Sequence, residues 1–438
     1  MKNRTLIGEL HDHIGEEVTI AGWVDIRRDH GKLVFIDLRD RTGKVQMVAI
    51  PSNAEAHAAA QQLRPEWVIA VTGKVNKRPE KMINPDLPTG DIEIEMLSVE
   101  ILSEAHELPF AQDAELNLDT LLDYRPLTIR RERERDIFAV QATILDAYRA
   151  SLRNQGFTEF QAPALVGGDA EGGAAVFKVE YFYEQTAYLA TSPQLYKQIM
   201  VGAFERVFTI ARIFRAEKSA TPRHVSEITQ MDFEMGFVND ELDVMAALET
   251  TVRDVVTTVR EKHADVFVRF GVEAPLLGDK FPILTLAEAH DILKVPREDD
   301  MTPEHERDIC AWAKKEHGTD FVFITRFPTA SRAFYTMGEK EGSPLSRGFD
   351  LIFRGLEINS GAQRIHDYDE MVSRIEERGM DPEKFSFYLQ AFKYGLPPHG
   401  GCSTGLERFT GRMLDLPNIR EATIFPRDLN RIDTLLSR

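Results

Sequence analysis

The stretch Arg206-Val-Phe-Thr-Ile-Ala-Arg-Ile-Phe-Arg-Ala-Glu-Lys-Ser-Ala-Thr-Pro-Arg-His-Val-Ser-Glu-Ile-Thr-Gln-Met-Asp-Phe-Glu-Met235 reads as strand, loop, strand. Two β-rich apolar runs flank a polar segment, Lys218 to Pro222, that contains the turn-forming residues. Residues two apart on a strand project from one face. On that rule Arg215 and Glu217 share a face of the first strand, and Asp232 and Glu234 share a face of the return strand. An arginine amid carboxylates on a sheet face suits an anion held beside an ammonium group or a metal ion, the pairing that a nucleotide and an amino acid present.

Outward from the hairpin, the 438 residues suggest two to three domains, and a 43% hydrophobic content supports well-packed cores. No run of 18 or more apolar residues suggests a membrane span, and the N-terminus lacks the apolar stretch of a signal peptide. Cys310 and Cys402 are too few and too far apart for a disulfide framework or zinc cluster. A cytoplasmic protein with no membrane partner is the expectation. The net charge of −18 argues against broad affinity for nucleic acid. Yet Arg27, Arg28, Lys32, Arg39, Arg41 and Lys44 lie close together, against only Asp29, Asp37 and Asp40, so an RNA contact is permitted there.

Residues 1–105 carry several short strands and one helix, near Ala54 to Leu63. Val18 to Val24, Leu33 to Arg39, Val45 to Ile50 and Trp67 to Gly73 are the β-rich runs. This arrangement suits a small closed barrel such as the OB-fold. Val34, Ile36 and Leu38 point one way and Phe35, Asp37 and Arg39 the other, which leaves Phe35 either to stack on a base or to cover the barrel end. A hinge at 106–127 follows, with Pro109 and an extended segment from Asp113 to Arg125. The remainder, 128–438, opens on an amphipathic helix, Glu132 to Asn154, marked by Ile137, Val140, Ile144, Tyr148 and Leu152. Residues about 240–320 are helix-rich and show no readable chemistry. The fold class is α+β, multidomain.

Phe-Arg-x-Glu, a loop, Arg-His and Asp-x-Glu in the opening stretch resemble motif 2 of the class II aminoacyl-tRNA synthetases. Gly156-Phe-Thr-Glu-Phe-Gln-Ala-Pro163 resembles motif 1, and Gly400-Gly-Cys-Ser-Thr-Gly-Leu-Glu-Arg408 resembles motif 3. The resemblance implies an antiparallel sheet flanked by helices, a homodimer built through motif 1, and ATP and Mg²⁺ as reactant and cofactor. It assigns Arg215 to the α-phosphate and the substrate carboxylate, Glu217 to the adenine amino group, and Arg223 and His224 to the triphosphate. Arg408 would cover the adenine or γ-phosphate. Ala216, Val225, Gly405, Leu406 and Glu407 complete the implied nucleotide contacts, and Arg215, Glu217 and Arg408 the catalytic set. The chain has no Gly-x-x-x-x-Gly-Lys-[Ser/Thr] loop, so its nucleotide site is of another kind. In Arg347 to Arg364, Glu357 and Ser360 supply hard oxygens, and the resemblance makes them the Mg²⁺ ligands.

An aspartate pocket needs fixed cations for a carboxylate. Ala190-Thr-Ser-Pro-Gln-Leu-Tyr-Lys197 resembles the aspartyl enzymes, where Lys197 and Arg364 pair with the side-chain carboxylate. Gln194, Glu171 and Asp232 would hold the ammonium group or orient these cations, and Ser360 adjoins the substrate. Asparaginyl relatives lack this lysine and carry Glu-Pro-Glu where this chain has Asp232-Phe-Glu234. The N-terminal block resembles the anticodon-binding barrel of bacterial aspartyl enzymes, in which Phe35 stacks on the central anticodon base beside Arg28 and Gln46. His30 is similar to barrels that accept tRNA(Asp) and tRNA(Asn), Lys81 to stricter ones. The catalytic part is instead similar to compact archaeal-type enzymes. The implied activity is activation of L-aspartate and its transfer to tRNA(Asp), with tRNA(Asn) left open.

Three departures from the family pattern stand out. Ile228 replaces an aromatic ring under the adenine, Ala362 and Ile365 replace Gly and Glu beside Arg364, and Cys402 in the motif 3 loop reads as packing. The alternatives are an asparaginyl enzyme, a tRNA-independent synthetase paralogue, and a non-catalytic RNA-binding protein on a synthetase body. The barrel and the intact charged residues argue against the last two.

Overall fold

The computed structural model describes residues 3–85, 87–111, 113–168, 175–218, 221, 223–340 and 342–432. The chain divides into two compact units, Met1–Glu115 and Leu116–Arg438.

In the first unit, β1 (Glu17–Asp29), β2 (Val34–Arg39), β3 (Lys44–Ala49), β4 (Val68–Lys77) and β5 (Ile92–Ser103) close a barrel in the order β1-β2-β3-β5-β4. The helix α1 (Ala54–Gln62) packs on it. Alternation works as the pattern requires: Val34, Ile36 and Leu38 are fully buried, while Phe35 and Asp37 lie on the outer face. Arg39 breaks that alternation. It is buried between Asp25 and Glu66, with its guanidinium over the Trp23 ring, so it belongs to the barrel's own charge network and not to an RNA-facing surface. The same Asp25 also holds Lys44, at 3.0 Å.

The second unit opens with α2 (Leu118–Asp123) and α3 (Arg125–Thr128), then α4 (Glu132–Asn154). The segment expected to be extended thus contains a helix. Asn117 starts it by accepting a hydrogen bond from the Thr120 amide, a cap that outweighs the absence of a long apolar period. In α4, Ile137, Val140, Ile144, Tyr148 and Leu152 are all buried, and Gly156 ends the turn beyond it in the left-handed region at φ 83°.

Next come β6 (Thr158–Glu159), β7 (Leu165–Val166), β8 (Lys178–Tyr181), β9 (Gln185–Leu189) and α5 (Gln194–Phe204). They lead to β10 (Arg206–Phe214), β11 (Glu227–Gly236), α6 (Glu241–Lys262), α7 (Ala264–Phe270), β12 (Ile283–Thr285), α8 (Leu286–Leu293) and α9 (Pro303–His317). The unit finishes with β13 (Phe321–Thr325), β14 (Gly348–Phe353), β15 (Leu356–Gln363), α10 (Tyr368–Glu377), α11 (Ser386–Lys393), β16 (His399–Gly405) and α12 (Leu406–Met413).

Eight strands form one sheet, in the order β12-β13-β14-β15-β16-β11-β10-β6. It is antiparallel except for the edge pairs β12–β13 and β10–β6. One face, carrying Met231, Phe233, Phe349, Leu351, Phe353 and Cys402, packs against buried residues of α4, α6 and α12. Strand alternation sends Asp232, Glu234, Asp350 and Ser403 to the opposite face. No helix among the described residues is long and apolar enough to cross a membrane.

Candidate active site

The polar face is organised by register. Asp350 lies opposite Ser360, Ser360 opposite Ser403, Ser403 opposite Asp232, and Asp232 opposite Thr209. These pairings make one row across β14, β15, β16, β11 and β10.

Around Asp232 the row becomes a buried charge cluster. Lys197 of α5 donates to Asp232 at 2.8 Å and to the Cys402 carbonyl at 3.1 Å, and pairs with Glu234 at 3.4 Å. Ser403 donates to the other Asp232 oxygen. Arg364 donates through Nε to Glu234 at 2.9 Å, and through Nη2 to the Gly401 carbonyl at 2.8 Å and to Gln194 Oε1 at 3.4 Å. Both cations are almost fully shielded, with 1% and 5% of their side chains exposed. Burial raises the pKa of Asp232 despite Lys197, whereas for Glu234 burial is overcome by Arg364 and Lys197, which hold its carboxyl below the usual range. The three Lys197 protons all have partners, while Arg364 Nη1 has none among the described residues. A further hydrogen-bond acceptor brought to this cluster would therefore meet Arg364 Nη1.

A second group lies along β14 and β15. Glu357 and Ser360 are three apart, an odd spacing that would send them to opposite faces. An irregularity in the β14–β15 pairing between Leu351 and Ile352 sets Glu357 opposite Ile352, and so returns it to the face of Ser360 and Asp350. Arg332 grips Asp350 through two hydrogen bonds, at 3.0 and 2.6 Å, and also donates to Ser360 Oγ at 3.2 Å. Arg408 donates to the Glu357 carbonyl at 3.1 Å, with its carboxylate 3.8 Å away. Although 38% of the Glu357 side chain meets solvent, burial of its carboxyl end and the Asp350 charge push its pKa up to about 7.

The residues expected to face a nucleotide are more open. β10 ends at Phe214, so Arg215 and Glu217 lie in the loop and not on the strand, although the Arg215 amide still donates to the Ser226 carbonyl at 2.9 Å. Strand pairing cannot extend past this point because the chain must turn outward. The two side chains sit 4.0 Å apart, each about two-fifths exposed. Arg223 pairs with Glu306 at 3.1 Å, and Glu306 also accepts from the Glu357 amide at 3.4 Å. The helix-rich 240–320 region thus supplies a residue to the site, Glu306 on α9. His224 contacts Thr221. Val225, Leu406 and Glu407 are buried, and the Glu407 carboxylate accepts from the Thr229 amide, so its side chain belongs to the core side of β11. Ala216 donates from its amide to the Ala175 carbonyl, and Gly405 ends β16 opposite Gln230. Glu171 lies outside the described residues.

Asp350, Arg332 and Glu306 were not singled out from the sequence. Asp350 carried a weak signal, a carboxylate seven residues before Glu357; the other two carried none. Cys402 is buried in the core with its thiol pKa pushed to about 12, which fits packing.

In the barrel, Arg28 forms a double hydrogen bond with Asp37, each at 2.8 Å, and Gln46 donates to Glu93 at 3.2 Å. The Phe35 ring meets His30 edge-on at 5.6 Å. Lys81 is exposed on a short helical turn, Glu80–Met82.

A family profile described as tRNA synthetases class II (D, K and N) matches residues 117–429, and one described as an OB-fold nucleic acid binding domain matches residues 18–102. The chain belongs to the class II tRNA synthetases. The synthetase is 42% identical to the aspartate–tRNA(Asp/Asn) ligase of Thermus thermophilus, over 98% of this chain and 99% of that one. It is 39% identical to the aspartate–tRNA(Asp) ligase of Picrophilus torridus, over 95% and 97%. Among solved structures it is similar to the asparaginyl-tRNA synthetase of Pyrococcus horikoshii complexed with asparaginyl-adenylate. There the TM-score is 0.90 and the identity 32%, covering 99% of this chain and 100% of that one. The aspartyl-tRNA synthetase of Entamoeba histolytica gives a TM-score of 0.87 at 29% identity, covering 98% and 92%. The synthetase's fold is thus shared by aspartyl and asparaginyl enzymes, and side chains must decide the amino acid.

Proposed function

We propose that the synthetase activates L-aspartate with ATP and transfers it to tRNA(Asp) and also to tRNA(Asn). The observation that carries the amino acid is the buried Lys197–Asp232–Glu234–Arg364 cluster. It balances two cations against two carboxylates and, among the described residues, leaves Arg364 Nη1 without a hydrogen-bond partner. A neutral amide side chain brings no charge to balance a largely shielded arginine whose Nη1 stays open to a ligand. The curated relatives at about 40% identity are aspartate ligases, and several are named for both tRNAs, which supports the wider tRNA range.

In this reading the aspartate α-carboxylate attacks the α-phosphorus in line. The carboxyl-oxygen-to-phosphorus bond forms as the bond to the β-phosphate oxygen breaks, and pyrophosphate leaves. Arg215, exposed at the loop's start, binds the α-phosphate and the attacking carboxylate. Glu217 reads the adenine, and Arg223, His224 and Arg408 take the triphosphate, with backbone of Ala216, Val225, Gly405, Leu406 and Glu407 alongside. This is catalysis by positioning and charge, with no general base required. The terminal ribose hydroxyl of the tRNA then attacks the aspartyl carbonyl, and AMP leaves. Glu171 and Asp232 serve the α-ammonium group.

Glu357, Ser360 and Asp350 offer hard oxygens from two adjacent strands. Burial of the Glu357 carboxyl beside the Asp350 charge, the cause of its raised pKa, is what a divalent cation would relieve. These residues would hold Mg²⁺, which when bound neutralises phosphate charge. The OB barrel takes the anticodon loop, Phe35 stacking on a base with Arg28, His30, Gln46 and Lys81 around it. In the domain assignment that follows, residues 1–105 bind anticodon, 106–127 connect, and 128–438 catalyse. Two copies pair through α4 and the open edge at β6, and the enzyme works in the cytoplasm, where its product is used.

Pyrophosphate exchange with aspartate and asparagine, then aminoacylation of both tRNA transcripts, tests the proposal. Exchange that favours asparagine, or failure to charge either transcript, would overturn it.

A further inference from the structure

Behind the aspartate cluster lies a second set of buried polar side chains, linked to one another by hydrogen bonds. Gln194 and Gln198 are four apart on α5, so their amides stack on one helix face. Gln194 Nε2 donates to Gln198 Oε1 at 3.0 Å, and the Tyr388 hydroxyl of α11 donates to the same oxygen at 3.0 Å. Gln198 Nε2 meets His399 Nε2 at 2.9 Å, and His399 Nδ1 meets the Pro397 carbonyl at 2.9 Å. At the other end Arg364 Nη2 donates to Gln194 Oε1. All five side chains are buried.

Each end of this run has only one polarity. A carbonyl only accepts, so His399 Nδ1 carries the hydrogen, and Nε2 of the neutral ring then accepts. Burial keeps that ring neutral by pushing its pKa down to about 4, against the pull of Glu234. Gln198 must therefore turn its amide nitrogen to His399 and its oxygen to Gln194 and Tyr388. Gln194 must in turn point its oxygen at Arg364. A guanidinium only donates, so the far end demands the same sense. The result is one directed relay from Arg364 to Pro397 in which neither amide can turn without breaking bonds on both sides.

We propose that Gln198 and His399 are positioning residues for amino-acid recognition: they lock the Gln194 oxygen onto Arg364 and so aim its Nη1 at the substrate's side-chain carboxylate. The inference rests on the aspartate reading above. A Gln194 amide released from Gln198 can turn its nitrogen to Arg364. Two donors then face each other, and the guanidinium, held only by Glu234 and the Gly401 carbonyl, shifts away from Gln194. The loss falls on a carboxylate ligand more than on an amide, which both donates and accepts, and ATP binding is untouched because none of these residues faces it.

The experiment is pyrophosphate exchange on the full chain with Gln198→Met, His399→Met and His399→Gln, each checked by thermal unfolding. Both Met variants keep bulk and remove polarity. Each should raise the aspartate KM about ten-fold, the scale of one buried hydrogen bond, and shrink the preference for aspartate over asparagine. The ATP KM should move less than about two-fold. His399→Gln, whose amide oxygen accepts from Gln198, should recover most of the aspartate KM. Should a Met variant fail to fold, Tyr388→Phe carries the test: it removes one of two donors to Gln198 and should cost about two- to three-fold in aspartate KM. Folded variants with an unaltered aspartate KM and an unaltered aspartate-to-asparagine ratio overturn the relay alone. So do parallel rises in aspartate and ATP KM. Wild-type enzyme that fails to activate aspartate overturns the function, and the relay with it.

Discussion

Lys197 and Asp232 meet at 2.8 Å with 1% and 0% of their side chains exposed, so a helix and a central strand are joined by an ion pair cut off from water. Such a pair adds little net stability when complete, but it is costly to halve. Lys197→Met leaves Asp232 uncompensated and Glu234 with one cation. The expected loss is about 3–5 kcal/mol in urea unfolding, together with aspartate activation. A loss under about 1 kcal/mol would show that the carboxylates rearrange to reach solvent.

Among the described residues Arg364 Nη1 has no hydrogen-bond partner. Arg364→Ala should raise the aspartate KM in pyrophosphate exchange about 100-fold, the scale of charge-assisted hydrogen bonds, and leave the ATP KM nearly constant. Undiminished aspartate activation in this variant would remove the pocket assignment.

Glu306 pairs with Arg223 at 3.1 Å, so in the proposed site a triphosphate competes with it for that guanidinium. The pair is partly exposed, so its worth is modest. Glu306→Gln should lower the ATP KM by about two- to five-fold while the aspartate KM stays constant. A rise in ATP KM would mean that Glu306 orders the site instead of competing with the nucleotide.

His399 gives a pH signature. An unfolded histidine takes up its proton near pH 6.5, the folded one only near 4 because burial opposes charge. Between those values the unfolded chain binds more protons, so stability falls as the pH drops through that window. The contribution amounts to about 3 kcal/mol across it. Urea midpoints measured from pH 7 to pH 4.5 should fall less steeply in His399→Gln than in the parent chain; equal slopes would place the titration elsewhere.

Phe35 sits on the outer face of β2, half-buried beside His30. Phe35→Ala should lower kcat/KM for tRNA charging about 10- to 100-fold, the worth of one stacked base, with pyrophosphate exchange unchanged. An equal loss in exchange would point to barrel damage and not to lost RNA contact.

The strand–loop–strand around motif 2, the α4 helix and the inward residues of β2 were legible because each depends on short-range periodicity. Apolar side chains at helical or alternating spacing have one way to leave water. The charged residues of the site were legible as types and spacings, through motifs held in a single stretch of chain. Where local rules were applied one residue too far, they failed. Arg215 and Glu217 leave the strand once the partner strand diverges, and Arg39 turns inward to Asp25 and Glu66, acids that lie elsewhere in the sequence.

What the chain order alone settled is which chemistry is present: two cations, paired acids and a glycine-rich strand, in the order that class II synthetases use. Tertiary structure decided which groups meet. Register across four strands set Asp350, Ser360, Ser403 and Asp232 in one row, and the irregular pairing opposite Leu351 brought Glu357 back to their face. The relay from Arg364 through Gln194, Gln198 and His399 to Pro397 draws on the residue just past β15, on α5 and on the start of β16, about 200 residues apart at its widest. No local pattern encodes it, because a hydrogen bond's direction depends on which partners can only donate and which can only accept, and folding alone brings those partners together.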